Sequence, residues 1–308
     1  MYAIRRFHFK GVILKRDHGF FFVTFITLLG VIGLNNNSIA DTTLREEINI
    51  NRQWKFILGD CISAEAVMFD DTEWDTVGLP HSFSMPYFLE EQFYTGFGWY
   101  RKMITIPESS EGKQFFLEFD GVFQVAEVFV NGQKVGMHRG GYTGFSFDIT
   151  DVVKPGDNQV TVRVNNLWDA RLAPRAGEHV FSGGIYRDVR LVTTSSLHVA
   201  WCGTFVTTPE VLRESATVNI KTEVVNASKV AKKATVRQSI FDSDGDLVTQ
   251  MESTQNIEAG TTIIFDQTSS VIKNPKLWHP DHPNLYRVMT TVLEGQKVLN
   301  LLKCNRTK

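Results

Sequence analysis

Cysteine is scarce in this chain. Three residues, Cys61, Cys202 and Cys304, are spread over 308 positions. An odd number at such wide spacing makes neither a disulfide framework nor a metal-ligand set. Neither sign of charge is in excess: 32 Lys and Arg against 34 Asp and Glu leave a formal net charge of −2. A general nucleic-acid binder draws its affinity from clustered basic residues, so no nucleic-acid partner is expected. The apolar run from Phe20 to Leu34 holds 15 residues, short of the ~20 that a membrane helix needs. Several catalytic signatures are missing as well. The chain has no G-x-S-x-G elbow, no H-E-x-x-H pair, no G-x-x-x-x-G-K-[ST] loop and no C-x-x-C, which removes the corresponding hydrolase, metalloprotease, nucleotide and redox readings. No cofactor and no metal site are expected. Disorder is excluded too, because 43% hydrophobic and 21% charged residues is ordinary globular composition.

What is present begins with a leader. Arg5, Arg6, Lys10, Lys15 and Arg16 precede the apolar run, and Ser38-Ile39-Ala40 supplies small residues before Asp41. This is the layout of a secretory signal peptide over residues 1–40. The expectation is an exported protein, periplasmic or extracellular, touching a membrane only if that segment stays uncleaved.

After Asp41 the chain shows almost no helical periodicity and many short alternating runs. Val160, Val162 and Val164 alternate with Thr161 and Arg163, the pattern of a half-buried strand. Val128 and Val130 lead into Asn131-Gly132, a pair suited to a type I′ hairpin turn. Twenty-three Phe residues supply apolar area for packing between sheets. Short strands at this spacing predict an all-β chain, a sandwich or jelly roll at 41–197. Val218, Ile220 and Val224, then Val236 and Ile240, and later Ile263 and Phe265 predict a second sandwich of immunoglobulin-like size over 198–300. Asp242-Ser243-Asp244-Gly245-Asp246 lacks the spacing of a calcium loop and predicts a hairpin turn. His279 and His282, around two prolines, predict a rigid connection.

The first sandwich carries ordered motifs. Trp74-Asp75-Thr76-Val77-Gly78-Leu79-Pro80-His81, Gly98-Trp99-Tyr100-Arg101-Lys102, Phe119-Asp120-Gly121-Val122, Val128-Phe129-Val130-Asn131-Gly132, Gly140-Gly141-Tyr142-Thr143-Gly144-Phe145 and Gly184-Ile185-Tyr186-Arg187-Asp188-Val189 follow one another. Together they resemble the N-terminal part of glycoside hydrolase family 2, of the β-galactosidase and β-glucuronidase kind. Leu277-Trp278-His279-Pro280 with Pro283-Asn284-Leu285-Tyr286 resembles the end of that family's second domain. The resemblance implies a galactose-binding-like jelly roll followed by an immunoglobulin-like sandwich. It also implies a catalytic (β/α)8 barrel beyond them, which needs roughly 250 residues and has no room here. Its acid/base glutamate follows an Asn in the family, and this chain has no Asn-Glu. The resemblance therefore implies a non-catalytic front part of an exported glycosidase, truncated, with residues 301–308 as a tail foreign to the fold. Surfaces that normally meet the barrel would be exposed and favour self-association.

No catalytic residue is predicted. The candidate sugar-contacting residues are Trp168, Asp169, Arg171, Arg175, Glu178 and His179, on a loop between the 160–164 strand and the closing Gly-Ile-Tyr-Arg strand. They offer donors, acceptors and an aromatic face for hydroxyl-rich β-glycosides, though anchoring the loop is an alternative role for the arginines. Trp99 and Tyr100 are stacking candidates, but neighbours on a strand face opposite ways and at least one belongs to the core. Arg187 and Asp188 are expected in a structural ion-pair network. Where the family has Trp-Asn after the Pro-His pair, this chain has Phe83-Ser84, so any contact of that Asn is lost. Two other functions remain open: a standalone carbohydrate-binding protein, or a structural or adhesion pair of sandwiches.

Overall fold

The computed structural model describes residues 45–84, 94–172 and 182–307; the leader, Arg175, Glu178 and His179 lie outside them. Asn131 and Gly132 take φ of 52° and 81°, the two left-handed positions that a type I′ turn requires. The chain therefore folds back, and β6 (Val125–Val130) pairs with β7 (Gln133–Arg139). On its other side β6 pairs with β9 (Gly156–Asn165), whose Val160, Val162 and Val164 are fully buried. Beyond β9 lie β4 (Phe97–Ile106), β2 (Trp54–Leu58) and β3 (Asp75–Val77), completing a six-stranded antiparallel sheet in the order β3-β2-β4-β9-β6-β7. Facing it is a four-stranded sheet, β1 (Glu46–Asn49), β10 (Val189–Ser195), β5 (Lys113–Phe119) and β8 (Phe145–Asp148). Phe115, Leu117 and Phe119 of β5 meet Val128, Val130 and the β9 valines in one core. Alternation places every second residue there, which is why the sheets read so clearly as strands.

Trp99 and Tyr100 do face opposite ways, and both are buried. Tyr100 enters the core between the sheets. Trp99 lies on the outer face, packed with Trp74 and Ala64 and stacked on Phe129 at 6.2 Å. Neither is a platform for a ligand.

From Leu197 the chain builds a second pair of sheets. One contains β11 (Leu197–Val211), β12 (Ser215–Asn226) and β15 (Thr261–Thr268), with the short β16 (Ile272–Lys273) also on β12. The other runs β14 (Leu247–Ile257), β13 (Lys232–Phe241), β17 (Tyr286–Glu294) and β18 (Lys297–Thr307). Ile220, Val224, Val236, Ile240 and Phe265 are almost completely buried between them. The architecture is the expected one, all-β, a jelly-roll sandwich followed by an immunoglobulin-like sandwich, and no helix occurs among the described residues.

Three local expectations are decided here. Residues 242–246 form the turn between β13 and β14, with Gly245 at φ 92°. The Asp242 carboxylate accepts from the backbone N–H of Asp244 and Asp246, both at 3.0 Å, and the Lys276 ammonium lies on Asp242 and Asp244. His279 and His282 close a two-way backbone bridge. Residues 301–307, expected as a tail outside the fold, run instead in β18: Leu301 pairs with Thr291, and Leu302 with Thr290, on β17.

Candidate functional site

At one end of the jelly roll the chain leaves β9 through Asn165 and turns over residues 166–172. Strand register decides what lies beside it. Asn165 is opposite Val125, and Val125 is opposite Arg139, so the last residue of β7 reaches the start of this loop. Arg139 donates from Nη2 to Asp169 Oδ2 at 2.7 Å. Arg171 donates from Nε to Oδ1 and from Nη2 to Oδ2 of the same carboxylate, each at 2.9 Å, and its backbone N–H adds a third bond to Oδ1 at 2.9 Å. Asp169 thus sits between two guanidinium groups. The Arg171 side-chain bonds, then its backbone bond, hold the Asp169 carboxyl far below the usual carboxylate range. It is an acceptor fixed in place and has no proton to give at neutral pH.

Trp168 stands next to this pair, 61% exposed. With Val125, Leu167 and the Arg139–Asp169–Arg171 group it lines an open cleft of about 530 Å3. The structure brings Trp168, Asp169 and Arg171 of the predicted set to this cleft. It adds Arg139, thirty residues earlier in the chain, which sequence reading missed. Counting from the Asn131-Gly132 turn puts residue 138 opposite Val125; the register shift between Val128 and Phe129 moves the pairing to Arg139, so the turn alone does not find it.

The base of the loop is rigid. Asn166 is fully buried and donates from Nδ2 to Ser84 Oγ (3.1 Å) and the Tyr94 carbonyl (3.0 Å), while its Oδ1 accepts from Gly96 N–H at 2.8 Å. Ser84 Oγ also accepts from Gly183 N–H at 3.1 Å. A Cβ at Gly183 would meet the Phe83 ring at 2.1 Å, so glycine is required for that approach. The Phe83-Ser84 pair is thus a structural one: Phe83 is buried in the core and the Ser84 hydroxyl ties three segments together.

The ion-pair network expected at Arg187 and Asp188 lies three residues further along. Arg190 pairs with Asp120 at 2.5 Å and approaches Glu118, which Arg45 also holds at 2.7 Å. Asp188 accepts instead from the Asn51 amide at 2.8 Å, and the Arg187 guanidinium lies over the Tyr186 ring at 5.9 Å. His81, within the Leu-Pro-His motif, bonds Tyr100 Oη through Nδ1 at 2.8 Å and serves the core. A second cleft of about 310 Å3 opens in the other sandwich, lined mainly by apolar groups such as Val218, Ile240, Trp278 and Tyr286; among the described residues, none of the predicted site residues lines it.

Comparison with known proteins gives matches along most of the chain. The sugar-binding domain of the family 2 glycosyl hydrolases matches residues 68–195, and a second domain of the same family matches 198–305. A β-galactosidase of Bacteroides ovatus, BoGH2A, is 35% identical over 267 residues, covering 83% of this chain and 31% of that protein. A putative β-glucuronidase of Formosa agariphila is 32% identical over 293 residues, covering 94% of this chain and 34% of its own. Among solved structures, a Bacteroides uniformis β-glucuronidase superposes with a TM-score of 0.81 at 34% identity, over 84% of this chain and 32% of that one. The chain spans about a third of the length of the curated relatives it matches.

Proposed function

Because the chain belongs to the family 2 glycosyl hydrolases, we propose that it is the sugar-contacting front part of an exported β-glycosidase acting on β-galactosides or β-glucuronides, without hydrolytic activity of its own. The observation that carries the sugar contact is the cleft where exposed Trp168 adjoins Asp169 and its two arginines. An indole face stacks on the apolar face of a sugar ring, and guanidinium and carboxylate groups supply hydroxyl partners. The reading of inactivity is supported by acid–base chemistry at this cleft. Glycoside cleavage requires a carboxylic acid that protonates the leaving oxygen and a second carboxylate about 5–5.5 Å away in retaining enzymes. Asp169 is ionised and already bonded to Arg139 and Arg171, so it cannot be that acid. Export rests on the basic lead, the 20–34 apolar run and Ser38-Ile39-Ala40.

Calorimetric titration of the full chain with β-galactosides and β-glucuronides tests the reading. Weak binding is expected, abolished in Trp168→Ala and reduced in Asp169→Asn, with no turnover of chromogenic β-galactoside or β-glucuronide. No binding to either sugar class at millimolar concentration would overturn the sugar contact. Turnover that disappears on mutating a carboxylate of this chain would overturn the inactivity.

A further inference from the structure

His198 occupies the passage between the sandwiches. It is the second residue of β11, just past Ser195 at the end of β10, and only 4% of it is exposed. Its Nδ1 lies 3.0 Å from the Ser195 carbonyl. A carbonyl oxygen only accepts, so Nδ1 carries the hydrogen and Nε2 the lone pair in the neutral ring. The imidazole leans on Phe116 of β5, centroids 5.4 Å apart and planes tilted by 58°.

The surroundings form a seam. Ser195 Oγ donates to the Leu197 carbonyl at 2.6 Å and reaches the Leu299 carbonyl of β18 at 3.3 Å. Val192 and Thr194 alternate with core-facing Leu191 and yet are fully buried; β10 meets β11 and β18 there. Two charged groups face the imidazole from other elements, Arg45 ahead of β1 and Asp148 at the end of β8. Arg45 is engaged by Glu47 at 2.6 Å and Glu118 at 2.7 Å. The Asp148 carboxylate already accepts from Thr150 N–H at 2.9 Å and Oγ1 at 2.6 Å. On its own strand Cys202 lies within the same field of Arg45 and Glu118. A proton added at Nε2 would therefore charge a buried ring that leans on Phe116, in the field of the Arg45 guanidinium. Burial in this place keeps the imidazole neutral and pushes its pKa down. His81 and His138 are tucked within the first sandwich, on Tyr100 and Phe145, so neither sits at the seam.

We propose that His198 is an acid-operated latch between the two sandwiches: protonation at Nε2 opens the seam formed by Phe116, Thr194, Ser195 and β18 while both sandwiches stay folded. The device adds a pH-dependent hinge to a protein whose sugar-contacting cleft lies on the first sandwich alone.

Hydrogen exchange of the full chain, corrected for intrinsic rates and compared at about pH 7.5 and about pH 5, reads the latch directly, since this interval brackets histidine titration. At acid pH, peptides covering 113–119, 190–199 and 297–303 are expected to lose protection several-fold. Peptides covering 125–130, 160–165 and 234–240 should keep theirs. His198→Asn retains a side-chain N–H for the Ser195 carbonyl and cannot become charged, so its seam should be insensitive to pH. Unchanged seam protection at acid pH, a loss shared equally by all peptides, or the same loss in His198→Asn would overturn the proposal. If that variant does not fold, NMR titration of His198 in the unsubstituted chain decides. A midpoint coinciding with the loss of seam protection supports the latch, and a midpoint away from it overturns it.

Discussion

Arg101 shows how much one side chain can organise. It is 2% exposed, pairs with Asp71 through Nε at 2.7 Å, and donates from Nη1 to the carbonyls of Ala64 and Ala66. The guanidinium thereby pins the loop that carries Ala64 and Trp74 over the outer face of the six-stranded sheet, covering Trp99. Arg101→Met keeps the apolar stem but leaves those carbonyls without their donor and Asp71 without its cation. We expect a loss of about 3 kcal/mol, measured by urea unfolding; a loss below about 1 kcal/mol would show that the loop holds itself. The sequence gives Arg101 a place in a motif but no sign of its burial, because arginine is normally a surface residue and its partners lie thirty or more positions away.

Elements were more legible. Asn131-Gly132 was readable as a hairpin because few other pairs tolerate two left-handed residues in succession. Gly132→Ala places a Cβ on a residue with φ 81°; the nearest neighbour to that Cβ, the Glu65 carbonyl at 3.6 Å, leaves room for it. The cost is then conformational, about 1–2 kcal/mol, and should show as a lowered denaturation midpoint with an unchanged m-value. If the substitution is neutral, the turn is not held in the type I′ form. The same hairpin carries Arg139, but the register shift between Val128 and Phe129 sets it opposite Val125 and beside Asp169, so the turn dipeptide alone does not place it. The fate of residues 301–307 was not legible either. Their alternation is short, and only pairing with β17 reveals them as an edge strand.

At the scale of the molecule three histidines, His198 buried and His81 and His138 partly buried, set the acid response. His81, His138 and His198 all have pKa values lowered from 6.5, burial being the first cause in each. The unfolded chain binds their protons more readily, so stability rises with pH through the window below about 6.5 and is fully present above it. Asp60, Asp242 and Asp266 have pKa values lowered by hydrogen bonds, chiefly from Arg163, Lys276 and Asn219 respectively, so their contribution is lost only as pH falls below about 4. Glu118, raised by burial, works in the opposite sense. The melting temperature is expected to decline in two steps on acidification, the first between about pH 6.5 and 5. A flat profile down to about pH 5 would contradict the histidine contribution.

The sequence by itself determined the strand-and-turn character, both sandwiches and the family, because alternation and turn residues are local and the motifs recur in order. Only the tertiary structure decided which polar residues are structural and which stand at a cleft. Trp99, Tyr100 and Arg101 are adjacent in one motif and all are buried, whereas Trp168 is exposed. The physical reason is that burial and pairing are properties of neighbours brought together by register. Arg139 reaches Asp169, and Asn166 reaches Ser84, across strands whose pairing no single segment encodes.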